Sequence, residues 1–346
     1  MPTRILVIQT AFIGDVILTI PLLQVLKRSY PEASVDCVVV PRAAGLLKTH
    51  PSVDRVVEYD KRGRDRGIGG FLRLLRLLRP RRYDIAVVPH RSLRSAVLAR
   101  GAGIRRRIGF DRSAGSMFWT DTVRYAEGVH EIDRNLALLK PLGIEQPAHE
   151  RPFVYSSPED IAEVDRELKG FPDLGSRTFV AVAPGTIWKT KQWLPEYVAE
   201  ICRLMARAEI GVILIGGPED AELCERIRAG ASSAGVVSTA GTLTLRQSAE
   251  LLRRCAVLVC NDSAPMHIAG AVGTPVVAIF GATVPAFGFS PRGPRDVVMQ
   301  IEGLRCRPCS IHGGPECPIK TFDCMVRIRP SMVYAAVQRM LPAPPR

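Results

Sequence analysis

Val257-Leu-Val-Cys-Asn-Asp-Ser-Ala-Pro-Met-His-Ile-Ala-Gly-Ala-Val-Gly-Thr-Pro-Val-Val-Ala-Ile-Phe-Gly281 reads as strand, elbow, short helix, turn and strand. The two apolar runs are short and uninterrupted, as in strands covered on both faces. Asn261-Asp262-Ser263 offers caps for the helix, and Pro265 suits its first turn. Ala269, Gly270 and Ala271 let that helix lie close to the sheet. A helix start of this kind presents unpaired backbone N–H groups and the positive end of a dipole, which suits a phosphate. His267 falls about one turn further on. Alone, the segment is equally well an ordinary strand–helix–strand unit with a good cap.

Working outward, the same alternation fills the chain. Arg4–Gln9 is a short apolar strand, followed by the loop Thr10–Gly14, Asp15, and an apolar helix to about Tyr30. Strands are expected over Val35–Val40, Arg55–Tyr59 and Ile85–Pro89, with helical patterns between them. This pattern predicts an α/β fold with a parallel sheet covered on both faces. Ligands in such sheets sit at the carboxyl ends of the strands, where Asp15 and His90 both fall. Prolines at 141, 147, 152, 158 and 172 loosen the next stretch, interrupted by a helix over Pro158–Lys169. A second series follows: strand Phe179–Val182, helix Pro195–Ala208, strand Val212–Ile215, and helices Glu219–Ala229 and Leu245–Arg254. The expected architecture is two Rossmann-like, doubly wound domains facing across a cleft. Residues 1–165 form the first and 166–330 the second, with 331–346 a C-terminal helix returning toward the first.

The length of 346 residues suits two domains of about 150–180 residues each. No apolar run reaches the ~20 residues of a membrane span, and Met1-Pro-Thr-Arg leads straight into a strand, so the cytoplasm is the expected compartment. Nine cysteines, an odd number, fit it better than a disulfide framework does. The net charge of +13 calls for an anionic partner. Much of it lies between Lys61 and Arg82, where nine residues are basic and only Asp65 is acidic. Phe71–Arg79 repeats arginine every three residues beside leucines, a helical stripe. Lys61–Gly70 is glycine-rich and expected to be mobile. The run is either a solvated face or a basic lip for a polyanion or acidic membrane. Single-stranded nucleic acid is disfavoured, because few aromatics are interleaved to stack on bases.

Several residues could carry chemistry. After strand Phe179–Val182 come Gly185, Thr186, Lys189 and Lys191, a permissive backbone with a hydroxyl and two point charges suited to phosphate. Asp220, after strand Val212–Ile215, could accept from ribose hydroxyls. Gly281 and Thr283 close the last strand of the opening segment. Together these loops outline a nucleotide-diphosphate pocket, although no GxGxxG or Walker pattern occurs. Asp15 could take a proton from an acceptor hydroxyl or could simply cap its helix. Cys306, Cys309, Cys317 and Cys324 form a Cys-x2-Cys-x7-Cys-x6-Cys cluster that could close a structural zinc or iron site. The other five cysteines sit in apolar periodicities and read as core.

Ile5-Leu-Val-Ile with Phe12-Ile-Gly-Asp15, Lys191-Gln-Trp193, and Asn261-Asp-Ser-Ala-Pro-Met-His267 with Ala282-Thr283 resemble the lipopolysaccharide heptosyltransferases of glycosyltransferase family 9, nearest the heptosyltransferase II branch. The resemblance spans nearly the whole chain. It implies the GT-B fold and inverting transfer of L-glycero-D-manno-heptose from ADP-heptose to inner-core lipopolysaccharide, with no cofactor or catalytic metal. Asp15 then corresponds to the general base, Lys191 to the lysine on diphosphate and sugar, and Asp262 to the acid on heptose hydroxyls. Thr186, Ser263 and His267 match positions near the diphosphate. Asp220 falls where relatives often carry a ribose-binding glutamate, and Ala264 replaces the usual glycine. The basic segment, with Arg62, Arg64, Arg66, His90 and Arg94, would receive the anionic Kdo-lipid A or heptosyl-Kdo-lipid A acceptor. That implies peripheral contact with the cytoplasmic face of the inner membrane and no nucleic acid. Rival expectations are transfer of a related activated sugar to another acceptor, a sugar-nucleotide epimerase or hydrolase on this fold, and a non-enzymatic basic protein that binds membrane or nucleic acid.

Overall fold

The computed structural model describes residues 2–175 and 178–341, which fall into two compact units, Met1–Tyr155 and Ser156–Arg346. In the first, the strands are β1 (Arg4–Gln9), β2 (Ser34–Val39), β3 (Arg55–Glu58), β4 (Ile85–Val88), β5 (Arg106–Phe110) and β6 (Asp121–Val123). They pair in parallel in the order β3-β2-β1-β4-β5-β6. Its helices are α1 (Ile13–Ser29), α2 (Pro41–Leu47), α3 (Gly67–Leu78), α4 (Leu93–Gly101) and α5 (Glu131–Ala137). α1 is buried without a break from Val16 to Leu26 because it packs on β1 and β2 and against α2 and α5. On a covered helix, apolar residues all round are favourable rather than a liability.

The second unit repeats the plan. Its strands are β7 (Phe179–Ala183), β8 (Gly211–Leu214), β9 (Val236–Ser238), β10 (Val257–Asn261), β11 (Val276–Ile279) and β12 (Val297–Met299). They are parallel in the order β12-β11-β10-β7-β8-β9. The helices are α6 (Pro158–Lys169), α7 (Pro195–Arg207), α8 (Ala221–Ala231), α9 (Leu245–Arg253), α10 (Ala264–Val272), α11 (Asp323–Val326) and α12 (Pro330–Met340). In each sheet the strand order reverses beside the first strand, at β1/β4 and at β7/β10. Those switch points are where open α/β sheets bind ligands.

Two expected boundaries shift. The expected boundary at 165 falls inside α6, which packs on α9 through the ion pairs Arg246–Asp160 (2.7 Å) and Arg254–Asp165. The first unit therefore ends at Tyr155 rather than 165. The second unit likewise extends past 330: Val333, Ala336 and Val337 of α12 are fully buried in its core with Val180, Val259 and Val277. Positions 342–346 of the expected C-terminal segment lie outside the described residues.

The basic segment is also more ordered than its glycines suggest. The backbone N–H groups of Gly63 and Arg64 donate to the Asp60 carboxylate (2.9 and 3.0 Å), and Asp60 N–H donates to Asp65 (3.0 Å). Asp65 is fully buried and pairs with Arg73. α3 consequently starts at Gly67, four residues ahead of the Arg/Leu repeat. Arg73, which appears in sequence as part of a free basic stripe, is used internally.

Candidate active site

The carboxyl ends of β7 and β10 are tied by Asn261, which is buried. Its Nδ2 donates to the Pro184 carbonyl (2.8 Å) and its Oδ1 accepts from Trp193 N–H (3.0 Å). The Trp193 ring is itself buried, with its indole N–H on the Ile328 carbonyl (3.0 Å). Between these anchors, the loop after β7 turns through a single 3-10 turn at Lys189–Lys191. It delivers the Lys191 ammonium 2.7 Å from Asp262 Oδ2, with the two side chains 14% and 9% exposed. Thr283, in the loop after β11, donates its hydroxyl to the same Asp262 oxygen (2.7 Å). Asp262 thus carries both its charge partner and a hydroxyl donor, as a buried carboxylate requires.

Ser263 is the N-cap of α10 but makes no side-chain cap bond; its hydroxyl turns to the Asn261 carbonyl (3.3 Å). Pro265 has no N–H and Met266 N–H donates to the Ser263 carbonyl (3.1 Å), so within this first turn Ala264 is the residue whose N–H can face an anion. Ala264 takes up ordinary helical backbone as the first residue of α10, so glycine is not demanded there. Burial, reinforced by Lys191 and opposed by Asp262, lowers the His267 pKa to about 4. His267 is neutral at pH 7 and brings hydrogen-bonding capacity rather than charge.

Asp220 lies against the glycines of two loops. A Cβ on Gly185 would fall 2.0 Å from its Oδ1, and one on Gly216 2.6 Å from its Cβ. Its Oδ2 accepts from Gly217 N–H (3.0 Å), while burial raises its pKa. Thr186, half-buried, follows Gly185 in the loop after β7. Gly281 packs closely on α11. A side chain there would strike Met325 Cε at 2.4 Å, so the glycine accommodates α11 behind the loop.

In the first unit, Asp15 is the third residue of α1 and its carboxylate accepts from Phe12 N–H (3.1 Å), capping the helix start from within. It is half-buried, and its charge is felt by Lys61, Tyr125 and Glu131. Lys61 reaches back to the Thr10 carbonyl (2.5 Å). Its pKa is lowered by burial first, then by Arg62 and Arg94. His90 Nδ1 lies 3.0 Å from both Thr10 Oγ1 and Ser95 Oγ. Burial, Lys61 and Arg91 bring its pKa down to about 4, so His90 is no anion-binding cation at neutral pH. Arg62, Arg64 and Arg66 are exposed, and Arg94 bonds Tyr59 (3.1 Å) at the edge of an apolar groove.

The sequence reading missed the groups around Asp15. Tyr125 lies between two guanidinium groups, Arg91 at 4.1 Å and Arg134 at 4.8 Å from its ring centre. Arg134 also donates to the buried Glu131 (2.8 Å). Burial raises the Glu131 pKa to about 7 despite Arg134 and Arg91, and the charge of Asp15 adds to the rise. The i,i+3 pair Glu131/Arg134 on a short helix was the only signal, and such pairs are common on surfaces.

Cys306, Cys309 and Cys317 are half-buried, Cys324 is buried, and all are free thiols. Among the described residues no three His, Cys, Asp or Glu side chains group to hold a metal ion, so the zinc or iron site expected of these four is not assembled in this arrangement. Burial raises the Cys324 pKa to about 11, and the neighbouring cysteines add to it. The remaining five cysteines are core, as expected.

Comparison with known proteins finds matches along the chain. A family model described as glycosyltransferase family 9 (heptosyltransferase) matches residues 71–317. Lipopolysaccharide heptosyltransferase 3 of Escherichia coli is 29% identical over 281 residues, 79% of this chain and 82% of that protein. Lipopolysaccharide heptosyltransferase 1 of Pseudomonas aeruginosa is 28% identical over 367 residues of alignment, with 99% of each covered. Among solved structures, E. coli ADP-heptose lipopolysaccharide heptosyltransferase II superposes with a TM-score of 0.81 at 24% identity, over 97% of this chain and 98% of that one.

Proposed function

The chain belongs to glycosyltransferase family 9, and on that premise we propose that it transfers L-glycero-D-manno-heptose from ADP-heptose to the inner core of lipopolysaccharide with inversion at the anomeric carbon. The observation that carries the reading is the Lys191–Asp262–Thr283 set beside the N-terminus of α10. A cation, a hydroxyl and the positive end of a helix dipole suit a diphosphate, and a buried carboxylate beside them suits sugar hydroxyls. The curated relatives named as lipopolysaccharide heptosyltransferases support the sugar and the acceptor.

In this reading Asp15 takes the proton of the acceptor hydroxyl. The acceptor oxygen attacks the anomeric carbon from the face opposite the diphosphate, and the bond to the ADP oxygen breaks through an oxocarbenium-like state. Lys191, Thr186, Ser263, Thr283 and the N-terminus of α10 receive the charge that develops on ADP. His267 donates as a neutral imidazole, and Asp220 holds the ribose. Arg62, Arg64, Arg66 and Arg94 receive the anionic Kdo and phosphate groups, with His90 ordering the adjacent loop through Thr10 and Ser95. The exposed side chains of Ile68, Leu72 and Leu93 beside those arginines support peripheral contact with an anionic membrane at the cytoplasmic face. No helix among the described residues is long and apolar enough to cross a membrane.

Calorimetry with ADP, followed by mass spectrometry of a Kdo-containing lipid acceptor incubated with ADP-heptose, tests the proposal. ADP binding and gain of one heptose are expected. Donor turnover without acceptor would favour a hydrolase or epimerase, and absence of nucleotide binding would overturn the enzymatic reading.

A further inference from the structure

The residues that hold Asp262 from two sides come from different loops, and one stretch of chain is bonded to both. At its start, Arg307 Nη2 donates to the Thr283 carbonyl (2.6 Å), and Cys309 N–H donates to the carbonyl of Ala282 (2.9 Å). At its end, the Thr190 N–H and hydroxyl both donate to the Gly314 carbonyl (3.1 and 3.0 Å), and Gly314 N–H donates back to Thr190 Oγ1 (2.7 Å). Thr190 is 2% exposed, so its hydroxyl has no water to exchange these bonds for. Gly313 has φ +85°, and a Cβ there would lie 3.0 Å from both Lys191 Cγ and Thr190 Oγ1. The stem of Lys191 therefore runs directly over the backbone of this stretch.

We infer that residues 306–314 form a strap that sets the position of Lys191 relative to Asp262 and Thr283, with Thr190 as the positioning residue that latches it. The inference rests on the donor-site reading above. A lysine has a long flexible stem, and its loop is anchored beyond it by Asn261 on Trp193; Thr190 supplies the anchor on the near side. The latch joins residues 124 apart in sequence, so it fixes the loop after β7 to a segment that also fixes the loop after β11. Placement errors of about 1 Å at a reacting group cost on the order of a hundredfold in rate, which gives such a latch its leverage.

ADP affinity by calorimetry on the full chain, with melting curves to verify folding, tests this. Thr190→Val keeps the volume and removes both hydroxyl bonds; we expect ADP affinity to fall at least fivefold and Thr190→Ser to recover it within twofold. In a Lys191→Ala background, Thr190→Val should change affinity by less than twofold, because the latch acts through Lys191. Equal losses in both backgrounds, or no loss in either, would overturn the strap. If Lys191→Ala itself left ADP binding unchanged, the donor-site reading would fall and the strap with it. Should Thr190→Val not fold, Gly313→Ala, which sets a methyl group against Lys191 Cγ, is measured in the same two backgrounds with the same expected dependence on Lys191.

Discussion

Asp262 and Glu131 are both buried carboxylates in different surroundings. Asp262 has Lys191 and the Thr283 hydroxyl on one oxygen. Removing the cation by Lys191→Ala leaves a buried charge uncompensated, which should lower stability by about 3 kcal/mol and weaken ADP binding at least tenfold. A chemical denaturation curve and calorimetry check the two effects. Glu131 is pushed up to about 7 by burial, with Arg134 and Arg91 pulling it down and Asp15 adding to the rise. As pH increases through about 7, Glu131 ionises and its negative charge strengthens Asp15 as a base. A rise in kcat/KM across that range is expected in the natural chain, and it should be absent in Glu131→Gln; an unchanged pH profile would contradict the coupling.

At the scale of elements, α3 shows how one helix can serve packing and surface together. Leu74, Leu75 and Leu78 are buried, while Ile68 is 78% and Leu72 43% exposed. With Phe71, Leu93, Arg94 and Val97, Ile68 lines a groove of about 420 Å³. Ile68→Asp combined with Leu93→Asp should reduce binding to anionic vesicles at least fivefold with ADP affinity unchanged. Equal flotation of the variant and the natural chain would contradict membrane contact there. Elements with a clean signal were legible: β1 and α6 have the bounds expected from sequence, Arg4–Gln9 from its apolar run and Pro158–Lys169 as the helix that interrupts the proline-rich stretch. β5 was missed because Arg106, Arg107 and Gly109 interrupt any apolar run, and β6, β9 and β12 because three residues carry no period. The site was legible where one loop carries it, as at Asn261–Ser263, and not where distant segments meet. Thr190 with Gly314, and Tyr125 between Arg91 and Arg134, have no local signature. The cysteine spacing suggested a metal site that the arrangement of the thiols does not form.

Across the whole molecule, buried histidines set the acid response. His50, His90 and His267 are each lowered to about 4, in every case mainly by burial. Between about pH 6.5 and 4 the unfolded chain binds these protons and the folded chain does not, so their contribution is fully present above pH ~6.5 and is lost on acidification. Glu131 has the opposite sign, because its carboxyl binds a proton more readily when folded: its contribution is fully present below about 4.5 and is lost as pH rises through about 7. Near pH 6.5 the three histidines set the net direction as a loss of stability toward acid, opposed by Glu131 and, in the carboxylate range, by Asp220 and Asp296, which burial also raises. The loss should amount to about 1.4 kcal/mol per pH unit for each net proton taken up. Urea unfolding at pH 7, 6 and 5 reads this directly, and a midpoint that rises toward pH 5 would contradict it. Both units carry their loops at a β1/β4-type reversal of the sheet, and the proposed reaction divides its labour between them: the base in the first, the nucleotide and sugar in the second. The most direct test of that division is a paired measurement on Asp15→Ala. With ADP-heptose and a Kdo-lipid acceptor, mass spectrometry should find one heptose added by the natural chain and none by the variant, while calorimetry finds the same ADP affinity for both. Near-normal transfer by Asp15→Ala would contradict the account.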